Sequence, residues 1–500
     1  MSETAIIQPT VAVLPGGPVV GSIRPPGSKS LTNRALICAA FADGESQLTG
    51  ALRSDDTEVM IVALSSIGVA IKESDGGRVI DVTGISRCDS KSLSEKGSDP
   101  LRRGQKTIEI DSLPKGQTPF RIGSKSAVER ASRMHELFIG NSGTTIRFLT
   151  AALSALGGNY RLVGVPRMHQ RPIGDLVNAL KPVCEGTIEC ESIGGCPPVS
   201  IQTSGWTQSQ MRVAGTVSSQ YLSGLMMAAP ISGRQCEIVV SGELVSRPYV
   251  EMTAQIIRDF GVEVELIDAT DRGDQTLSCR IDGRSGYRGR QYAIEPDASA
   301  ASYFWAAAAI TGGEVTVLGL SAKALQGDVG FVDCLEQMGC RVNRQSDRIT
   351  VAGPRQLRGI DVDMNAISDT VQTLSVVALF ADGPTTIRGV AHNRFKETDR
   401  IGDLARELRK MGAEIIETDD GLSINPANVP CQTESDRIDS VPTAILDTYD
   451  DHRMAMSLAL AGLRLPDVRI RNPACTAKTY PEYFADLEAL IGRPHRWSAE

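Results

Sequence analysis

Pro26-Gly27-Ser28-Lys29-Ser30-Leu31-Thr32-Asn33-Arg34 is a Pro-Gly turn running into an apolar, helix-compatible segment, Ala35 to Ala42. Gly27 allows a backbone conformation that a Cβ would resist. Ser28 or Ser30 can cap the helix start, where backbone N–H groups have no partners. Those N–H groups, the positive end of the helix dipole and the side chains of Lys29 and Arg34 all favour an anion. The stretch is not a Walker loop, because the Gly-Lys step and the upstream glycine of that pattern are missing. An ordinary capped turn would explain it in isolation. Recurrence of the same arrangement along the chain gives it meaning.

The recurring unit reads most clearly from Ala381-Asp382-Gly383-Pro384-Thr385-Thr386-Ile387-Arg388-Gly389. A small-residue helix ends in a polar turn, and an alternating strand leads to a glycine. A polar loop, the amphipathic helix Asp403 to Met411, Gly412 and a strand from Ala413 to Glu417 follow. The same order starts at Thr311, Ser232 and Asp43, and looser copies follow Leu156-Gly157-Gly158 and Leu465-Pro466-Asp467. Glycines after the amphipathic helices mark left-handed C-caps. Ahead of each copy stands a second kind of helix: Ala35 to Ala42, Ile146 to Leu156, Gln220 to Pro230, Ala300 to Ile310, Val371 to Ala381 and Met454 to Leu463. These are apolar nearly all round, so they are buried helices. Six units divide most simply into two lobes of three, an α/β fold. The chain is expected to start in the second lobe, cross near Arg24 to Gly27 and return near Gly289 to Ile294. This gives one lobe of residues 27–290 and another of 1–26 with 291–500. From about 86 to 133 the chain is rich in Ser, Lys, Arg, Gly and Pro. That segment reads as a surface excursion of the first lobe without chemistry.

A chain of 500 residues is too long for one core. Hydrophobic residues make up 41% and charged ones 22%, which supports burial and excludes wholesale disorder. Aromatics are only 4%, so helices must pack through Ala, Leu, Met and Val. The net charge of −8 argues against a broad nucleic-acid or acidic-membrane surface. Local basic clusters then suit a small anionic substrate. No apolar stretch is long enough to span a bilayer, and Met1 to Thr10 lacks the pattern of a secretory signal. The 11 cysteines include no Cys-x-x-Cys pair, and Cys184, Cys190 and Cys196 have no histidine near them. Free thiols of a cytoplasmic protein are the reading preferred over zinc.

Polar residues gather at the starts of the buried helices. They are Lys29, Ser30 and Arg34; Asn141-Ser142-Gly143-Thr144-Thr145 with Arg147; Ser218-Ser219-Gln220; Asp297-Ala298-Ser299; Asp369-Thr370; and Asp450-Asp451-His452-Arg453. Plain N-capping accounts for Ser299, Thr370 and Asp450. It does not account for Lys29, Arg34, Arg147 or Arg453, because a cation at a helix N-terminus is misplaced unless an anion lies between. The loops after the strands add Arg167 and Arg171, Ser246 and Tyr249, Lys478, and Arg394-Phe395-Lys396-Glu397-Thr398-Asp399-Arg400. Asp399 fits a solvated ion pair. Glu397, between Lys396 and Arg400, is a carboxylate among cations that can exchange a proton.

These residues carry a resemblance. PGSKSLTNRAL from Pro26, GNSGTTIR from Gly140, PRMHQRPIGDL from Pro166, VSSQYLSGLMMAAP from Val217 and VSRPY from Val245 are similar to motifs of the 5-enolpyruvylshikimate-3-phosphate synthase family. So are DASAASYF from Asp297, FKETDR from Phe395, DDHRMAM from Asp450 and CTAKTYP from Cys475, all in the family's order. The resemblance implies two lobes of inverted α/β repeats (an inside-out barrel architecture) with the active site in the cleft between them. It implies transfer of the enolpyruvyl group of phosphoenolpyruvate to the 5-hydroxyl of shikimate 3-phosphate, by a monomer that needs no metal or organic cofactor. By that analogy Lys29, Ser30, Arg34, Ser218, Ser219, Gln220, Ser246, Tyr249, Asp369 and Lys396 hold shikimate 3-phosphate. Lys29, Gly143, Arg171, Gln220, Arg400, Arg453 and Lys478 hold phosphoenolpyruvate. Asp369 is the candidate base for the hydroxyl, and Glu397 and Lys29 are candidates for the methylene proton. Two departures stand out. Phe148 follows Arg147 where many members have proline, and His392, with Asn393 beside it, falls where some use asparagine for the shikimate phosphate, so that contact stays unassigned. Gly143 is the residue type associated with glyphosate-sensitive members.

Two other readings fit parts of the sequence. Enolpyruvyl transferases acting on UDP-N-acetylglucosamine share the architecture but have Lys-Asn in place of Lys29-Ser30 and typically carry a cysteine on a mobile loop. No cysteine lies between Cys88 and Cys184 here. A non-catalytic sugar-phosphate binder should have lost Lys29, Asp369 or Glu397, and all three are present.

Overall fold

The computed structural model describes residues 9–85, 134–215, 218–242, 244–271, 274–429 and 444–499. The polar excursion expected at about 86–133 lies outside these residues. Twelve α-helices occur among the described residues, and they alternate in kind along the chain. In order they are α1 (Lys29–Ala40), α2 (Asp55–Ser66), α3 (Gly143–Leu156), α4 (Gly174–Leu180), α5 (Ser219–Ser232), α6 (Arg247–Asp259), α7 (Ala298–Thr311), α8 (Phe331–Gln337), α9 (Val371–Ala378), α10 (Gly402–Lys410), α11 (His452–Ala459) and α12 (Tyr483–Ile491). The odd-numbered helices are buried on nearly every side; on α7 every residue from Ala298 to Ile310 is buried. The even-numbered ones keep a wet face, as on α10, where Leu404, Ala405, Glu407 and Leu408 are buried. Small residues let the buried helices approach closely. A Cβ added at Gly224 of α5 would lie 3.1 Å from the Arg147 carbonyl oxygen of α3.

Among the described residues six four-stranded sheets accompany the helices. In each, one pair of strands is parallel, and the remaining pairings are antiparallel. Residues 385–388, for example, pair in parallel with 361–363 and antiparallel with 421–425, which pairs with 414–418. Two sheets exchange their parallel partners. Val20–Ile23, just before α1, pairs with Glu314–Leu318 after α7, while Gln291–Ala293, just before α7, pairs with Glu45–Thr49 after α1. The sixth sheet takes Pro9–Ala12 between Val468–Arg471 and Arg496–Ala499.

The buried hydrophobic residues form two clusters. One draws on residues between Leu31 and Ile294; the other draws on Val11 to Val19 and on residues between Ala298 and Leu487. The chain passes between them twice, side by side. Gly27 and Pro296 form a β-bridge, Ser28 N donates to Glu295 O, and Asp297 N donates to Pro26 O, each at 2.8 Å. Gly27 is required here by proximity, since a Cβ would meet Gly50 O at 1.9 Å.

Several local expectations are corrected. Helix α1 begins at Lys29, not Ala35, with Ser28 as its cap accepting from Leu31 N. Helix α9 stops at Ala378, because Ala381 joins a short parallel pairing with Leu357. Helix α11 ends at Ala459 and continues as a 3₁₀ turn to Leu463. The caps of α7 and α11 are Asp297 and Asp451, not Ser299 and Asp450; Thr370 makes no cap bond to α9 and donates to Ile367 O instead. The positive φ expected after the surface helices is present at Gly68, Gly261, Gly339 and Gly412. Cys184, Cys190 and Cys196 are free thiols on neighbouring strands.

Candidate active site

Helices α1, α3, α5 and α11, with the turn just before α9, deliver their N-terminal ends to one cleft lined from both cores. Seven cationic side chains (Lys29, Arg34, Arg147, Arg171, Lys396, Arg400 and Arg453) and three carboxylates (Asp56, Asp369 and Glu397) line it. Such an excess of cations beside helix N-termini leaves a field that only anions relieve.

On the first core, Lys29 stands in the opening turn of α1. Its backbone N donates to Asp297 Oδ2 at 3.1 Å, and its Nζ lies 3.6 Å from Asp56. Ser30 and Arg34 follow on the same helix. Arg34 is buried, and its guanidinium donates to Thr253, the Ser30 carbonyl and Ser223. It also lies 5.2 Å from the Phe148 ring. Burial pulls it down to about 10. Ser142 caps α3 through Thr145 N, so Gly143 and Thr144 open its first turn. Arg147 donates to Gln220 at 2.6 Å, and Gln220 donates to Thr144 at 3.3 Å. Ser218 caps α5 by accepting from Gln220 N. Arg171 donates to the Asn141 carbonyl at 3.0 Å. Ser246 has φ +55 before α6, and its Oγ is 3.3 Å from His392 Nε2.

On the second core, Asp369 sits in the 3₁₀ turn Asn365–Thr370 ahead of α9. Arg453 reaches it at 2.6 Å, Arg400 at 3.3 Å and Lys396 at 3.5 Å, and Tyr249 of the first core donates to it at 3.3 Å. Glu397 is 2.8 Å from Lys478, 2.9 Å from Arg400 and 3.9 Å from Arg171. Burial alone would raise both carboxyls. The surrounding cations outweigh it: Arg453, Lys396, Arg400 and Lys29 hold Asp369 well below its ordinary range, and Lys478, Arg400 and Arg171 do the same to Glu397. Burial, with the Lys396 charge, holds His392 near 3. Arg167 donates to the Glu397 and Lys396 carbonyls and so ties the two cores across the cleft.

Every site residue read from the sequence lines this cleft except Lys478, which stands behind Glu397 and also donates to the Asn141 carbonyl. Asp399 behaves as expected, pairing with Arg394 and accepting from Ile401 N and Gly402 N. Sequence reasoning leaves His392 open, places Thr144 and Asp451 at helix starts without a role, and gives no signal for Asp56 or Asp328. Buried Asp451 grips Arg400 with both oxygens, at 2.7 and 3.1 Å, and also caps α11. The adjacent acidic pair Asp450-Asp451 was visible, but which one turns inward depends on the positive φ of Asp450. Asp328 carried no helix-start signal.

A family model described as EPSP synthase (3-phosphoshikimate 1-carboxyvinyltransferase) matches residues 13–96 and 109–487. The chain is 43% identical over 467 residues to a 3-phosphoshikimate 1-carboxyvinyltransferase of Thiobacillus denitrificans, covering 93% of this chain and 95% of that protein. It is 42% identical over 485 residues to the chloroplastic enzyme of the same name from Arabidopsis thaliana, covering 94% and 82%. Among solved structures, EPSP synthase from Acinetobacter baumannii aligns with TM-score 0.70 at 23% identity over 98% of this chain and 100% of that one. The enolpyruvyl transferase NikO from Streptomyces tendae aligns with TM-score 0.65 at 18% identity, covering 99% and 100%. These two likenesses are of fold.

Proposed function

From the premise that the chain belongs to the EPSP synthase family, whose members are 3-phosphoshikimate 1-carboxyvinyltransferases, we propose a division of labour among its own residues. The enzyme transfers the enolpyruvyl group of phosphoenolpyruvate to the 5-hydroxyl of shikimate 3-phosphate and releases phosphate. The observation that carries the site assignment is convergence: helix ends and loops from both cores bring seven cations to one cleft. Two substrates that together carry two phosphates and two carboxylates need that many.

Lys29, Ser30, Arg34, Ser218, Ser219, Gln220, Ser246, Tyr249, Asp369 and Lys396 hold shikimate 3-phosphate. Arg34 contributes mainly by stiffening this wall, since its donors already serve Thr253, Ser30 and Ser223. Lys29, Gly143, Gln220, Arg171, Arg400, Arg453 and Lys478 hold phosphoenolpyruvate. Asp369 takes the proton of the 5-hydroxyl as that oxygen bonds to C2 of phosphoenolpyruvate, and the methylene carbon gains a proton from Glu397 or Lys29. A methyl proton then returns to the protein, the C–O bond to phosphate breaks, and the enol ether is left. The cations around Glu397 hold it ionised. Anions arriving at Lys478, Arg400 and Arg171 cancel the field that keeps it so, which lets it take up a proton before it gives one. Lys478 acts on the reaction through Glu397 as well as on the substrate.

The architecture proposed is two lobes of three units in an inside-out barrel arrangement, residues 27–290 and residues 1–26 with 291–500. Two separate hydrophobic cores support it. The paired crossings at Gly27 and Pro296 make a hinge, and closure excludes water from the tetrahedral intermediate. A cytoplasmic monomer with two small-molecule substrates and no partner macromolecule completes the reading. No helix among the described residues is long and apolar enough to cross a membrane. A coupled phosphate-release assay with shikimate 3-phosphate and with UDP-N-acetylglucosamine as acceptors tests the function. Release with only the first is expected, and release with only the second overturns it.

A further inference from the structure

Asp328 is buried behind Tyr249, and no cation among the described residues forms an ion pair with it. Its Oδ2 receives the Ser299 hydroxyl and lies 3.1 Å from the Tyr249 hydroxyl; its Oδ1 is buried with no hydrogen-bond partner. The same Tyr249 hydroxyl lies 3.3 Å from Asp369 Oδ2. A phenol has one proton to donate. If both carboxyls were ionised, one of the two short contacts would set an oxygen lone pair against a carboxylate. The contacts are all satisfied when Asp328 Oδ2–H donates to Tyr249 and Tyr249 O–H donates to Asp369. That state also leaves the orphan Oδ1 as a neutral carbonyl oxygen, which is cheaper to bury than a carboxylate oxygen.

We propose that Asp328 carries a proton when the substrates are bound and thereby turns the Tyr249 hydroxyl onto Asp369, which makes it a positioning residue for the base. The inference rests on Asp369 being that base. The groups facing Asp328 agree. Ser299 and Asp297 come from the start of α7, Tyr249 from α6, Asp369 from the turn before α9 and Arg453 from α11. Arg453 spends itself on Asp369, at 2.6 Å, and reaches Asp328 only through Ser299, at 3.4 Å. Burial and the Asp369 charge push the Asp328 carboxyl up to about 6. Anionic substrates across Tyr249 push it further in the same direction. Loss of the proton at higher pH would swing the Tyr249 hydroxyl toward Asp328, strip Asp369 of a donor and add a negative charge beside it.

The test compares wild type, Asp328→Asn and Asp328→Ala, with folding checked by circular dichroism. Asp328→Ala is expected to lower kcat about 10- to 150-fold, the worth of one hydrogen bond to a charged group, with KM values within a few-fold. Asp328→Asn keeps a donor for Tyr249 and should restore most of that loss. It should also remove the fall in kcat that wild type shows above the pH where Asp328 ionises. In infrared difference spectra, adding shikimate 3-phosphate at neutral pH should give wild type a protonated-carboxyl carbonyl band that Asp328→Asn lacks. The inference is overturned if folded Asp328→Asn keeps both the alkaline limb and the band, or is as impaired as Asp328→Ala. If the alanine variant does not fold, the asparagine comparison decides. Near-normal turnover by Asp369→Ala would instead sink the base assignment on which the inference stands.

Discussion

Replacing Gly143 by alanine perturbs the cleft at one atom. A Cβ there would stand 2.5 Å from Arg171 Nη2 and 2.7 Å from Arg147 Nη1. Ordinary carbon–nitrogen contact needs roughly 3.5 Å, so the two guanidinium groups must retreat by about 1 Å. Charge-assisted hydrogen bonds are short, about 2.7–2.9 Å, and such a retreat forfeits most of one bond worth ~1.5–3 kcal/mol. At about 1.4 kcal/mol per tenfold, KM for phosphoenolpyruvate should rise ~10- to 150-fold. Fold stability should not suffer, because Gly143 opens α3 with an ordinary helical φ and alanine is the better helix former. The assay is phosphate release with phosphoenolpyruvate varied at saturating shikimate 3-phosphate, beside a thermal melt. An unchanged KM in a variant of undiminished Tm would refute the placing of the phosphoenolpyruvate anion against Arg171. A lowered Tm would refute the argument that the clash is confined to the cleft.

Asp369→Ala and Glu397→Gln should each lower turnover by at least ~10²-fold, the usual cost of removing a general acid or base, while both substrates still bind by calorimetry. Near-normal turnover in either refutes its assignment. His392 folds with its imidazole held near 3, so the unfolded chain takes up a proton that the folded chain refuses as pH falls below about 6.5. Stability contributed at pH 7 should therefore be lost on acidification by up to ~1.4 kcal/mol per pH unit, with buried His452 acting in the same direction. The urea midpoint should drop between pH 7 and 5, less so in His392→Asn; a flat midpoint in wild type contradicts this. Glyphosate should compete with phosphoenolpyruvate for the Gly143 side of the cleft, and an inhibition pattern without competition would remove that expectation.

The repeat was legible because each unit is local. Ala381 to Glu417 contains its own turn, strand, surface helix and glycine cap, so the order of elements needs no distant partner. Cations at helix starts were legible because they contradict the dipole, and Lys29, Arg147 and Arg453 all line the cleft. What failed to show depends on non-local pairing. The exchange of Val20–Ile23 for Gln291–Ala293 joins strands 294 and 244 residues apart to sheets that look self-sufficient in sequence. The cap Asp297 stands two residues before Ser299 and the cap Asp451 one residue after Asp450, differences set by where the backbone turns. Asp328 lies in the short 3₁₀ turn Gly327–Gly330 ahead of α8, and only burial beside Tyr249 and Asp369 distinguishes it.

A crystal structure with shikimate 3-phosphate and glyphosate bound tests the central claim most directly. Both ligands should lie between the two cores, with their phosphate, phosphonate and carboxylate groups on the cations at the starts of α1, α3 and α11 and on the loop that carries Arg400. Ligands seated on one core alone, with Lys29, Arg171 and Arg453 contacting no anion, would contradict it.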